Sequence, residues 1–406
     1  MRAIFFTIQI LLEVKEDVLR GGNMKIVIAS DSFKGSCSTL EVAAAIERGI
    51  KKVKHGAEII KLPVADGGEG TVDTLVMGTG GRYEKVEVVG PLGNKIKAQF
   101  GILDGNIAVI EMASASGLPL LQEHELNPLK TTTYGTGQLI KAALDRQCNK
   151  IFLGIGGSAT NDGGAGMAQA LGVSFKDSAG KEIGYGGAEL ARLEDIDISE
   201  LDPRINQAEI IVMSDVTNPL CGEKGASYIY GPQKGATPEM ITKLDANLKH
   251  YAAIIKAKLG KEVEKIPGAG AAGGLGAGLI AFCNVQIYPG VEKILDLIGI
   301  DHYLSNADLV ITGEGRIDHQ SIYGKVPIGV AKRASKKNVP VIAIVGGIGE
   351  GAAEVYAHGV TAVQDIIPRP MTLQEAMENA SSLIEQTAES VIRIFSIDKS
   401  ISSLSF

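Results

Sequence analysis

Tryptophan is absent from these 406 residues, and histidine and cysteine are scarce, at six and four. So little histidine, with no HExxH and no paired-His spacing, leaves zinc-hydrolase chemistry without a signature. Cys37, Cys148, Cys221 and Cys283 stand far apart with no CxxC. A disulfide framework or zinc site therefore has no support, and reduced cytoplasmic thiols are expected. An apolar run near the start, residues 4–12, is only about half of what spans a bilayer. Arg2 is a thin basic flank for it, and Glu13, Lys15, Glu16 and Asp17 follow without a small-residue cleavage site, so a secretory signal is not expected. There is no long basic run and the net charge is −7, which argues against nucleic acid and anionic membranes as partners. A Walker P-loop is also lacking, because Lys325 in Gly324-Lys325-Val326 has neither the upstream glycine spacing nor the following Ser/Thr.

What the chain has is glycine, 51 residues of it, concentrated in loops. Hydrophobic content of 45% and charged content of 21% suit a globular chain, and the length suggests two domains. The stretch at 154–167, GIGGSATNDGGAGM, follows an apolar strand-like run at 151–153 and leads into a helical one. Its glycines let backbone N–H groups approach a ligand, and Ser158 and Thr160 add hydroxyl donors. The helix behind it turns its positive end to the same place, and Asp162 is its one charge. A phosphate-bearing ligand fits that chemistry.

Similar strand-loop-helix units recur. Residues 25–29 form a strand that delivers Asp31, Ser32 and Lys34 beyond its carboxyl end, where ligands bind in open α/β sheets. A helix over 39–52 follows, capped by Ser38 or Thr39. Residues 59–62 are a second strand, and Asp66 and Glu69 sit in a glycine turn opening a helix at 72–77. The pattern then changes to short strands at 83–89, 96–103 and 107–112, with Asp104-Gly105-Asn106 as a hairpin turn. Further strands are expected at 210–213, 309–311, 341–345 and 360–364. Thr237 caps a helix over 239–258 with Pro238 at its first position. Thr372 and Glu375 suggest a capping box for a terminal helix to about 395. The economical arrangement is α/β with two domains: a Rossmann-like parallel-sheet domain from 24–81 plus 290–400, and a mixed-sheet α/β domain, 82–289, inserted into it. The crevice between such domains is the expected site. Residues 1–23 stand apart. The codons for Arg20 to Met24 can form a purine-rich, ribosome-binding-like stretch before an ATG, so 1–23 is expected to be a non-native extension with Met24 as the start.

Acids gather at strand ends and in glycine turns: Asp31, Asp66, Glu69, Asp162, Asp215, Glu314 and Asp318. Cations in loops are Lys34, Lys234, Arg316 and Lys325. Carboxylates among glycines suit magnesium and a general base, and the cations suit phosphate charge, which together is what phosphoryl transfer requires. Two other classes are open. GxGxxA at 154–159 with Asp177, or GxGxxG at 268–273, would suit a nicotinamide enzyme. A non-catalytic sugar-acid sensor would have lost the loop acids, which this chain keeps.

The motifs ASDSFKG (29–35), PVADGGEGT (63–71), EMASASGL (111–118), TTTYGTG (131–137), GIGGSATNDGGAG (154–166), SDVTNPL (214–220), GPQKG (231–235) and ITGEGRID (311–318) are together similar to those of the type 1 glycerate kinases. The resemblance runs from Met24 to about residue 395, and residues 1–23 match nothing in the family. It implies two α/β domains, one inserted in the other, with ATP as co-substrate, magnesium and D-glycerate in the cleft. The expected product is phosphoglycerate, with the 2-isomer favoured over the 3-isomer. On that basis Lys34 and Arg316, with Ser32, would hold the glycerate carboxylate, and Asp162 or Asp215 would take the hydroxyl proton. Asp66, Glu314 and Asp318 would hold magnesium or its waters. Amides of Gly156, Gly157, Ser158, Gly313 and Gly315 would cradle phosphates, and Lys234 and Lys325 would offset transferring charge. The implied location is cytoplasmic, without nucleic acid or membrane partners. The sequence leaves a homodimer open.

Overall fold

Short runs of Ile, Val and Leu become strands buried on both faces, as parallel sheets require. The computed structural model describes residues 24–283 and 285–401, with side chains to 396; the extension at 1–23 lies outside the described residues. The chain divides into two compact units, one running to Val64 and resuming at Leu295, the other Ala65–Ile294.

The first unit begins with β1 (Lys25–Ile28), α1 (Thr39–Val53) and β2 (Glu58–Lys61). Ser38 caps α1 through a full capping box with Glu41. The chain returns to this unit, after the inserted second unit, with three further strands. Those of the second unit come first in sequence.

The second unit opens with α2 (Thr71–Thr79), β3 (Arg82–Val89), β4 (Lys95–Leu103) and β5 (Ile107–Glu111). It continues through α3 (Tyr134–Asp145), β6 (Lys150–Gly154), α4 (Ala165–Ala170), β7 (Ser174–Lys176), β8 (Asp195–Asp197) and β9 (Glu209–Met213). It ends with α5 (Pro238–Leu259), α6 (Ala271–Cys283) and β10 (Ile287–Tyr288). Its main sheet has the order β10-β9-β6-β5-β4-β3, parallel from β10 to β5 and antiparallel at β4 and β3. The β4–β5 turn carries Gly105 and Asn106 at φ 77 and 56, the left-handed pair a two-strand reversal needs. The outer strand β3 carries alternating charges on its open side, which discourages edge pairing. Residues 65–81, grouped with the parallel sheet on sequence grounds, belong to this second unit. Val76 of α2 lies over Gly101 of β4, so closely that a Cβ there would stand 2.4 Å from its methyl carbon.

The first unit resumes with β11 (Leu309–Glu314), α7 (Val326–Ser335), β12 (Val341–Val345), β13 (Ala362–Asp365) and α8 (Ala380–Ile401). Its sheet is wholly parallel, in the order β13-β12-β11-β1-β2. Helices α1 and α8 bury Val42, Ile46, Ile50, Ile384 and Ile392 against Ile26, Ile28, Leu309 and Ile311. Succession runs outward in opposite directions from β1 and β11, so the sheet has its switch point between them. Among the described residues no helix is long and apolar enough to cross a membrane.

Candidate active site

In the first unit the loops after β1 and β11 meet at the switch point. Asp31 N donates to the Gly313 carbonyl at 2.9 Å, and Ser32 N to the Asp31 carboxylate at 2.7 Å. Gly313 is fixed by close approach, since a Cβ would stand 2.0 Å from the Ile344 carbonyl oxygen of β12. Lys34 is exposed, and its backbone N lies 3.6 Å from where a Gly315 Cβ would be. Arg316 is also exposed and lies 3.4 Å from the Asp318 carboxylate. Glu314 is different. It is buried, accepts the Ser321 hydroxyl at 2.6 Å and pairs with Lys325 at 3.4 Å. Burial pushes its carboxyl up, while Ser321 and Lys325 pull it back. Ser321 was not singled out by the sequence, where a serine seven residues beyond an acid carries no signal. Ser32, Lys34, Gly313, Glu314, Gly315, Arg316, Asp318 and Lys325 thus all belong to this unit.

Asp66, Gly156, Gly157, Ser158, Asp162, Asp215 and Lys234 belong to the second. Its loops lie beyond β5, β6 and β9. Gly154 touches backbone: a Cβ there would stand 2.2 Å from the Gly67 carbonyl oxygen, and one on Gly156 3.5 Å from Gly68 Cα. Gly156 and Gly157 are exposed at this edge. Asp66 accepts Gly68 N at 2.8 Å, and Asp215 accepts Gly290 N at 3.3 Å. Asp215 shows an exposed edge to solvent but is walled by protein elsewhere. Its carboxyl is pushed up to about 6, chiefly by removal from water, with the neighbouring Asp66 charge adding to the rise against the Gly290 hydrogen bond.

Asp162 and Lys234 lie beneath that surface. Asp162 is buried and accepts Thr133 N and Thr133 Oγ1, both at 2.8 Å, with Gly164 N at 3.1 Å and Gly166 N at 3.4 Å. Three backbone amides and the Thr133 hydroxyl thus occupy its carboxylate. Lys234 is 1% exposed, with Nζ donating to Ser158 Oγ at 2.6 Å and the Thr160 carbonyl at 2.8 Å. Burial pulls its ammonium down to about 7, against the attraction of Asp162. Thr133 was missed in the sequence, although a run of three threonines ahead of a helix offered a signal. Glu111 was missed as a capping group. Its carboxylate accepts Val72 N at 2.7 Å in the first turn of α2, and burial raises its carboxyl.

Neither glycine fingerprint makes a dinucleotide fold. Gly270 and Gly273 face backbone, with Cβ positions 2.2 Å from the Pro219 carbonyl oxygen and 1.9 Å from that of Thr160. Asp177 is committed to a local turn and to Arg192 at 2.7 Å. No group of three or more His, Cys, Asp or Glu able to hold a metal occurs among the described residues. Asp66 lies close enough to Asp215 for its charge to act on that carboxyl. Magnesium needs as few as one carboxylate beside waters and phosphate oxygens, so Asp66 alone is a fitting donor.

Acid-bearing glycine loops at the carboxyl ends of parallel strands define an α/β enzyme of the group-transfer class. The glycerate kinase family model matches residues 26–396. A glycerate kinase of Halalkalibacterium halodurans is 54% identical over 376 residues, 92% of this chain and 99% of that protein. Glycerate 2-kinase of Escherichia coli is 50% identical over 375 residues, 92% and 98% of the two chains. A crystal structure of a glycerate kinase 2 from Salmonella typhimurium LT2 superposes with a TM-score of 0.86 at 50% identity, covering 93% of this chain and all of that one. The chain is a kinase, and it belongs to the glycerate kinase family.

Proposed function

We propose that this kinase transfers the γ-phosphoryl group of ATP to the 2-hydroxyl of D-glycerate. The observation that carries the reading is the Asp66–Asp215 pair, Asp66 in a glycine turn and Asp215 just beyond β9, in a chain half identical to a glycerate 2-kinase over nearly its whole length.

Asp215 is the general base. It keeps an edge open to solvent, and a carboxyl near 6 is ionised at neutral pH while still basic enough to accept a proton. It takes the proton of the attacking hydroxyl as that oxygen bonds to the γ-phosphorus, and the bond to the β–γ bridging oxygen breaks to release ADP. Amides of Gly156, Gly157 and Ser158 receive phosphate oxygens at the exposed edge of the loop. Asp66 would hold magnesium, which would supply positive charge to offset that of the phosphates. In the first unit Lys34 and Arg316, both exposed, suit a carboxylate beside Ser32, and Lys325 suits phosphate charge near the Gly313 and Gly315 amides. Asp162 and Lys234 do not touch substrate. They hold the 158–166 loop from below. Four free cysteines suit a cytoplasmic enzyme.

The test is ADP release from MgATP with D-glycerate, followed by phosphorus NMR of the product. A doublet, from coupling to the single C2 hydrogen, marks 2-phosphoglycerate. A triplet marks the 3-isomer and moves the site of attack.

A further inference from the structure

We propose that Glu314 is a positioning residue: together with Ser321 it aims the Lys325 ammonium at the phosphate charge of a bound nucleotide. The proposal rests on the kinase reading above.

Glu314 is the last residue of β11, so its side chain starts from a strand held on both sides by β1 and β12. The side chain is 8% exposed, and a carboxylate so placed needs partners on its oxygens. It has them. Ser321 fills one at 2.6 Å, and Lys325 lies 3.4 Å from the other. The Lys325 side chain remains 36% exposed, so the pairing with Glu314 leaves part of it in reach of solvent.

Local backbone fixes the other end. Lys325 is the N-cap residue of α7, in extended conformation, with a proline in the first turn behind it. Its side chain makes no capping bond, so it is not consumed by the helix. The positive end of α7 adds field of the same sign. The donor set also speaks against a metal on Glu314. A divalent cation there would share the carboxylate with an ammonium 3.4 Å away, and like charges at that range repel.

The experiment combines calorimetric titration of ATP into the purified full-length protein with steady-state kinetics. The variants are Glu314→Gln, Lys325→Met, the double variant, and Ser321→Ala. Glu314→Gln should weaken ATP binding and raise KM for ATP about tenfold, the loss of one charge-assisted contact. KM for D-glycerate and the magnesium concentration for half-activity should stay within about twofold of wild type, a factor worth under half a kcal/mol. The double variant should be no worse than Lys325→Met alone, because the acid acts through the lysine. Ser321→Ala keeps the ion pair and should give a smaller loss in the same parameter, which covers the case in which Glu314→Gln fails to fold. Additive losses in the double variant, a raised magnesium requirement, or unchanged ATP affinity would overturn the proposal while leaving the kinase reading intact. A wild-type protein that binds no ATP would overturn both.

Discussion

Asp162 and Asp215 are the same residue type in loops beyond the neighbouring strands β6 and β9, and their surroundings assign them different work. Asp215 reaches solvent and is pushed up to about 6. Asp162 is sealed in and spent on the Thr133, Gly164 and Gly166 donors. Asp215→Asn should therefore lower kcat by about 10²–10⁴ with little change in melting temperature. Because the base works ionised, wild-type kcat/KM should fall as pH drops through about 6, and that limb should be missing in the variant. Asp162→Asn places an amide against backbone donors. It should cost stability first, by about 1–3 kcal/mol in urea unfolding, through unsatisfied buried groups. Lys234 adds a pH signature. Its native ammonium sits near 7, far below the 10.5 of an unfolded lysine. The unfolded chain then binds the extra proton between those values, so this contribution to stability is complete above the upper one and is lost as pH falls through the lower. Wild type should gain stability relative to Lys234→Met as pH rises from 7 to 9, measured by denaturant midpoints at both pH values. A constant difference would mean that the lysine is not desolvated as the structure has it.

Elements with strong local signals were legible from sequence, and elements set by contact were not. Buried strands such as Val341–Val345 are apolar throughout and sit where the apolar runs predict them. The helix expected over 239–258 is Pro238–Leu259, with Thr237 accepting Met240 N as its cap. The terminal capping signal is half realised. Thr372 accepts Glu375 N, but the Glu375 carboxylate turns to Arg369, and the helix breaks into Leu373–Glu378 and Ala380–Ile401. The small antiparallel β7–β8 pair was not anticipated, because its strands are three residues each and too short to show alternation. The left-handed kink in α6, with Ala272 at φ 53, is imposed by tight packing on the Thr160–Asn161 backbone. Gly154 belongs to the same category. It marks a point where the ends of two loops touch, and Gly154→Ala should destabilise the protein by about 1–3 kcal/mol through overpacking. An unchanged thermal midpoint for that variant would show that the Gly67 loop can yield.

At the scale of the whole molecule, the chain builds two α/β units, each with its own core. The glycine-and-acid loops pointed to phosphoryl transfer before any fold was in view, because residue type at strand ends is written in the sequence. Which acid is sealed and which is open is not written there. Asp162 and Lys234 are held by partners dozens of residues away, Thr133 and Ser158. The most direct measurement of the proposed reaction is incubation of the purified protein with MgATP and D-glycerate, with ADP and the phosphorus spectrum read together. The account predicts ADP and 2-phosphoglycerate in equal amounts. ADP no higher than in the control without glycerate would contradict it.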